Sequence, residues 1–426
     1  MSTSTVPSSS EASPSLLAGS VEQPTFGEAV GNYVSKVRGG DMGSLPAILA
    51  LVVLLAEFII LKPATFPSIG NIANLFQQGA VVVTIAMGLV FVLLLGEIDL
   101  SAGFTSGACG AVLATGLVVY HWSWYVALLA ALVTGLVIGT ILGTLVARVG
   151  IPSFIITLAA FLALQGVVLL IIGSGGNISI TDPVILALQN KNVPPLLGWA
   201  LGIIAVLAYA GSSLRTWQLR RQRGLLAAPL GMVIIKMVAL GVVVLGMVAI
   251  LNQERSLNPL RASIIGVPIV VPLIVVLALG LGFVLTRTAF GRHIYAVGGN
   301  AEATRRAGIN VKMVRTACFM ICSTMAAVAG VLAASRATSV DPNAGGSNVL
   351  LYAVGAAVIG GTSLFGGKGR IIDALIGGAV IAVIDNGMAL LGYSPGVKYV
   401  VTGGVLAAAA AVDAISRRRA SASGRG

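Results

Sequence analysis

The sequence predicts an all-α polytopic membrane protein of about 10–12 transmembrane helices with both termini cytoplasmic. Three observations predict this class. Of the 426 residues, 57% are hydrophobic and 9% are charged, against about 25% charged in soluble domains. Mean hydropathy over the whole chain is +1.00. Apolar runs near the length a bilayer demands, about 20 residues, recur along the chain with short basic loops between them.

The first 40 residues stand apart. "MSTSTVPSSSEASPS" is rich in Ser, Thr and Pro. It lacks a basic start, an apolar core and a small-residue cleavage site, so residues 1–40 read as a disordered cytoplasmic tail and not as a signal peptide. A transmembrane domain is expected over 41–413, and a basic cytoplasmic tail over 414–426. Twelve candidate spans follow: 45–61, 76–95, 101–120, 124–146, 153–173, 196–213, 225–251, 268–286, 317–335, 348–361, 371–391 and 398–412. With the N-terminus inside and alternation thereafter, 19 Lys and Arg residues fall on the inner side and 6 on the outer. Lys236 falls within a span. That bias is the positive-inside pattern. The net charge of +12 therefore reflects topology and points to membrane lipid, not nucleic acid.

Glu57 lies near the outer end of the first span, where it snorkels to the interface beside Lys62. The second span runs into "LLLGEIDLSAG", residues 93–103, which carries Glu97 and Asp99. Continuous second and third helices would put this turn at the inner water boundary, with Asp99 or Ser101 capping the third helix. A broken helix would instead carry Glu97, Asp99 and Ser101 deeper, as pathway or interface residues. "YHWSWY", from Tyr120, reads as an outer aromatic belt. Gln165, inside the fifth span, is a candidate lining residue. An outside loop, Gly173 to Pro195, is punctuated by Gly, Asn and Pro. Lys236, in the seventh span, must pair with an acid or shed its charge.

The longest inter-helix loop on the inside, 287–316, contains "NAEATRRAG". Asn300 is a good N-cap, Glu302 and Arg306 complement the helix dipole at opposite ends, and Gly308 supplies the stop. A two-turn helix this short needs external support. It is either an amphipathic connector or a docking element for a soluble partner. Cys318 and Cys322 share a helix face as buried thiols, and two scattered histidines make no metal site. The 14-residue tenth span is short for a straightforward crossing, which leaves a broken or re-entrant helix as the alternative there. Asp385 and Asn386 lie within the eleventh span. They serve either as pathway residues or as a helix-to-helix clamp.

"GTSLFGGKGR", from Gly361, departs from the phosphate-loop pattern: Thr362 stands where its first glycine belongs, and Gly369 follows Lys368 in place of Ser or Thr. No catalytic residues, metal or bound cofactor are expected, so any ATP is hydrolysed by a partner.

"GEIDLSAG", "FGRHIYAVGGNAEATRRAGINV" and "AAVIGGTSLFGGKG" occur in that order. Together they resemble the permease subunits of bacterial ABC importers for monosaccharides, of the ribose and xylose type, over about Pro67 to Asp413. The extra pair of spans around "RTWQLRRQR" is most like the xylose type. That resemblance implies a multi-pass subunit of the bacterial inner membrane, forming a homodimer. It implies an ABC ATPase subunit docked on a coupling helix formed by Gly299, Asn300, Glu302, Ala303, Arg306 and Gly308. It also implies a periplasmic or lipid-anchored sugar-binding protein. Family members often have Gly where this chain has Glu97. The rival reading is a proton-coupled secondary sugar transporter using Glu97, Asp99 and Asp385 as a relay; a third is a passive channel.

Overall fold

The structure is a computed structural model. It describes residues 43–256 and 263–422 and, upstream, residues 27, 28, 31 and 35, with the side chains of Ser347, Asp413 and 416–422 set aside. The expected 1–40 tail, those four positions apart, lies outside the described residues.

Each of the twelve expected spans is one helix: α1 (Leu45–Leu61), α2 (Ile69–Leu94), α3 (Ala102–Val118), α4 (Trp124–Thr144), α5 (Ser153–Ile172), α7 (Pro195–Gln222), α8 (Leu230–Leu251), α9 (Val270–Arg287), α12 (Val311–Ala337), α13 (Ser347–Gly360), α14 (Ile371–Leu390) and α15 (Pro395–Ala422). Among the described residues there are also three shorter α-helices, α6 (Pro183–Asn190) between α5 and α7, then α10 (Ala289–Gly299) and α11 (Ala301–Arg306) between α9 and α12, and a π-helical segment, Leu145–Val149, that continues α4. Among the described residues, nine helices are long and apolar enough to cross a membrane; α1, α3 and α13 are apolar but shorter. The start of α2 escapes a hydropathy reading because its first turns carry Asn71, Asn74, Gln77 and Gln78.

Two compact units divide the described chain. The smaller, Gly202–Gly246, holds most of α7 and α8. Their apolar surfaces are largely exposed, as a lipid-facing helix pair requires, and Lys236 is exposed among them. The larger unit takes 43–201 and the described residues from Met247 onward. Its centre is α2, α12 and α14, whose most apolar windows are 83%, 67% and 72% buried. In α4, glycines at four-residue spacing make a close crossing with α12. A Cβ on Gly135 or Gly139 would stand 2.6 Å from Ser323 O or Phe319 O of α12. Small residues at this spacing let two backbones meet where the hydrophobic effect cannot drive association.

The Gly173–Pro195 segment is ordered by pairing. β1 (Ile178–Ser179) pairs antiparallel with β4 (Ser339–Val340), and β2 (Asn192–Val193) with β3 (Val267–Pro268). Asp182 caps α6 by accepting from Val184 N and Ile185 N (2.9 and 3.0 Å). The Ser335 hydroxyl of α12 accepts from Gln189 N (3.1 Å).

Gly139→Val should lower the thermal midpoint of the detergent-purified chain, by a destabilisation of about 1–3 kcal/mol. An unchanged midpoint would show that the α4–α12 crossing tolerates a side chain.

Candidate functional site

The site is built at one end of the larger unit, around α10 and α11. Thr288 caps α10, accepting from Gly291 N (3.1 Å), and Ile294 and Val297 anchor it in the core. Asn300 is extended (φ −157°), which ends α10 and starts α11; its Oδ1 accepts from Ala303 N (2.9 Å). The hydroxyl of buried Thr304 donates to Asn300 O (2.7 Å). Glu302 pairs with Arg305 (2.7 Å) and Arg306 (3.1 Å), all three side chains more than half exposed. Pairs so exposed contribute little stability, so they shape a surface instead of holding a core. Gly308, at φ +82°, turns the chain back, and Asn310 then caps α12 by accepting from Met313 N (3.0 Å). Gly299, Ala303 and Gly308 are exposed, so every residue expected in the coupling helix sits on this one knob.

Three segments far apart in sequence meet beneath the knob. Gly367 N–H donates to Leu94 O, the last residue of α2 (2.9 Å). Gly298 covers that bond: a Cβ there would collide with Leu94 O and stand 2.8 Å from Gly367 N. Gly96, at φ +75°, lies against Phe365, where a Cβ would be 3.2 Å from its carbonyl oxygen. Tyr295 OH of α10 donates to Gly369 O (2.7 Å). Arg315 Nε stands 3.4 Å from Glu97 Oε1, an ion pair rather than an aligned hydrogen bond. Sequence reasoning missed Gly298, Phe365, Gly367 and Arg315 as one joint. Three glycine motifs were the available signal, and only folding brings them together. The Phe365 side chain is 67% exposed beside this joint.

The turn after Glu97 corrects an expectation. Asp99 and Ser101 are both 0% exposed, so they do not sit at a water boundary. Ser101 makes no side-chain cap for α3. Instead, its N–H and hydroxyl both donate to Asp99 Oδ1 (2.9 and 2.6 Å). Asp99 Oδ2 has no hydrogen-bond partner among the described residues, and the Cys322 thiol lies beside the carboxylate. The physical reason is that 96–101 is not helical: it turns at Gly96 (φ +75°) and bends at Ser101 before α3 starts. Ile98 N donates to Ser153 Oγ (3.2 Å), and Ile98 O accepts from Thr157 Oγ1 (3.2 Å). From the opposite end, the strand-to-α13 segment reaches Gly103, where a Cβ would stand 2.7 Å from Gly345 O.

Asp385 and Asn386 lie elsewhere. Asn386 exchanges amide bonds with Asn71 (2.9 Å each way) and donates to Gln78 (3.1 Å). Asp385 contacts Lys398 (3.4 Å). Both stand at the Asn71 end of α2, while Glu97 follows its other end. At 1.5 Å per residue the two groups are roughly 35 Å apart. A Glu97–Asp99–Asp385 relay, the rival reading, would have to span that distance. Gln165 is half-buried midway along α5 and takes part in none of these bonds.

Residues 71–410 match the family described as "branched-chain amino acid transport system / permease component". The chain is 37% identical to a xylose transport system permease protein of Escherichia coli (strain K12), over 87% of this chain and 92% of that one. It is 32% identical to the ribose import permease protein of the same strain, over 86% and 92%. For the D-allose transport system permease protein of that strain the identity is 30%, over 85% and 89%. No solved structure matches the chain.

Gly298→Ala should raise amide hydrogen exchange in 361–369, because the added methyl displaces Gly367 from Leu94. Unchanged exchange there would remove the joint. Asp99→Ala leaves Ser101 without its acceptor and should cost about 1–3 kcal/mol, whereas Asp99→Asn keeps a carbonyl oxygen and should cost less. Equal melting temperatures for the two variants would contradict this assignment.

Proposed function

The chain belongs to the branched-chain amino acid transport system / permease component family, and from that premise we propose the roles of its parts. It is the membrane-spanning permease subunit of a monosaccharide ABC importer, a multi-pass protein of the bacterial inner membrane. Xylose, or a sugar of similar size, is the proposed cargo, since the relatives named for xylose, ribose and allose span nearly the whole chain. As a transport subunit it performs no chemistry of its own.

In this reading both termini and the α10–α11 knob face the cytoplasm, and a separate ATPase subunit docks on α11. Gly299, Asn300, Glu302, Ala303, Arg306 and Gly308 form the docking helix, with exposed Phe365 beside it. ATP is bound and hydrolysed by that partner. Two permease copies enclose the pathway, and a periplasmic or lipid-anchored binding protein delivers the sugar. Selection rests largely with that binding protein, so the pathway needs only weak contacts.

The observation that carries the reading is the joint under α11. A helix of 6 residues cannot hold itself in water. Gly298 of α10, just before the Asn300 cap, lies over the Leu94–Gly367 bond and so joins this knob to the end of α2 and to the loop entering α14. Closure of the ATPase on α11 would therefore displace α2 and the 96–101 turn together. Such rigid-body switching between inward- and outward-open states is how a packed core transmits a small movement.

Glu302→Lys places a third cation on α11 and removes the partner of Arg305 and Arg306. Gly308→Val forces a β-branched residue to φ +82°, a strained conformation. Either change should abolish or greatly weaken co-purification with the ATPase and sugar-dependent ATP hydrolysis. Survival of both properties in both variants would refute the docking assignment. Sugar uptake driven by a proton gradient in the chain reconstituted alone would favour the secondary-transporter reading instead.

A further inference from the structure

At the end of the larger unit away from α11, the ends of five helices bring polar side chains together. Asp385 of α14 stands 3.4 Å from Lys398 of α15, with 39% and 18% of the two side chains exposed. Arg336, near the end of α12, donates to Asn74 Oδ1 of α2 (3.0 Å) and lies within the electrostatic reach of Asp385. Tyr352 of α13 lies within the electrostatic reach of Asp385 and Tyr399 and beside Thr402. Asn348 Nδ2 donates to Tyr399 OH (2.6 Å). Behind this group the Asn71–Asn386–Gln78 amides are closed on one another.

These two layers differ in kind. The amide layer is satisfied internally and clamps α2 to α14, the ordinary use of polar side chains between membrane helices. The outer layer is looser. A structural ion pair needs short, well-satisfied geometry to offset desolvation; the Asp385–Lys398 contact is long and its carboxylate is half open. Two cations face one carboxylate, with two phenol rings and an amide alongside. Polar and ionisable groups kept at such positions mark substrate paths more often than structure.

We propose that Arg336, Asp385 and Lys398, with Tyr352, Tyr399 and Asn348, form the outer sugar subsite of the permease, taking a neutral polyhydroxylated ring. This rests on the reading of the chain as a monosaccharide permease. A carboxylate accepts from vicinal hydroxyls, whereas guanidinium, ammonium and amide groups donate to them. The tyrosine rings offer an apolar face to the sugar's C–H surface. Half-exposed groups that are only partly committed to one another can exchange partners with a passing sugar at little cost, as transit demands.

The test uses the whole importer in cells: this chain with its ATPase and binding protein. Initial uptake is measured for radiolabelled D-xylose, D-ribose, D-allose and D-glucose, and the two best-transported sugars are compared. Lys398→Gln and Tyr352→Phe should each change the ratio of the two rates by about two- to tenfold, the range expected for one altered hydrogen bond. Tyr352→Phe removes one oxygen and keeps the ring, so it decides the matter where the Lys398 variant fails to accumulate. A parallel fall for both sugars, or an unchanged ratio in the accumulating variants, would assign the cluster a structural role and overturn the proposal. Absence of ATP-dependent uptake of all four sugars by the unaltered chain is a separate outcome; it would remove the monosaccharide reading itself and the subsite with it.

Discussion

Inside an apolar bundle every backbone N–H and C=O must find a protein partner, because no water is at hand. The rest of the structure depends on that constraint, and most visibly at the end of α2. A helix leaves its last carbonyls unmet. Leu94 O is one of them, and it is met by Gly367 N–H from a loop more than 270 residues away in the chain. Gly298 then lies flat over the bond, since any side chain there would collide with it. A single satisfied carbonyl thus brings three segments to one place and fixes the support on which α11 stands.

The same constraint explains why Ser153, Thr157, Asp99 and Ser101 are buried polar residues in an oily protein. The non-helical run 96–101 has no helical ladder of its own. Ser153 and Thr157 of α5 complete the backbone of Ile98, and Asp99 completes that of Ser101. Non-helical backbone at depth is tolerated only where protein surrounds it, and here α5, α12 and the approach to α13 do so. The two short helices α3 and α13 are therefore parts of one arrangement. Each is preceded by non-helical backbone, 96–101 before α3 and the 342–345 turn before α13, and the two segments meet at Gly103 and Gly345.

Polar side chains in this protein fall into distinct energetic roles. Glu302 and its arginines are exposed and shape a surface. Asn386, Asn71 and Gln78 are closed on one another and hold helices. Asp385 and Lys398 lie between these extremes, in a contact too long and too open to serve as a clamp. The pair α7 and α8 carries no comparable interior: its apolar faces are exposed, as bilayer contact demands.

The twelve apolar segments, their order and the α11 caps could all be read from the residues. Hydropathy, Asn300 and Gly308 act locally, and local signals need no partner to be recognised. The glycine motifs also stood out, but only as separate marks. What the tertiary structure alone decided is where those marks meet, and how deep the 96–101 turn lies. "GEIDLSAG" reads equally well as a solvated cap or as a buried bend, because Asp99 can satisfy Ser101 in either place. The choice is made by Ser153, Thr157 and Gly345, which lie far along the chain and approach only after folding. For the same reason Asp385 and Asn386, adjacent in sequence and alike in composition, take different roles. One meets amides that satisfy it, and the other meets a lysine that only partly does.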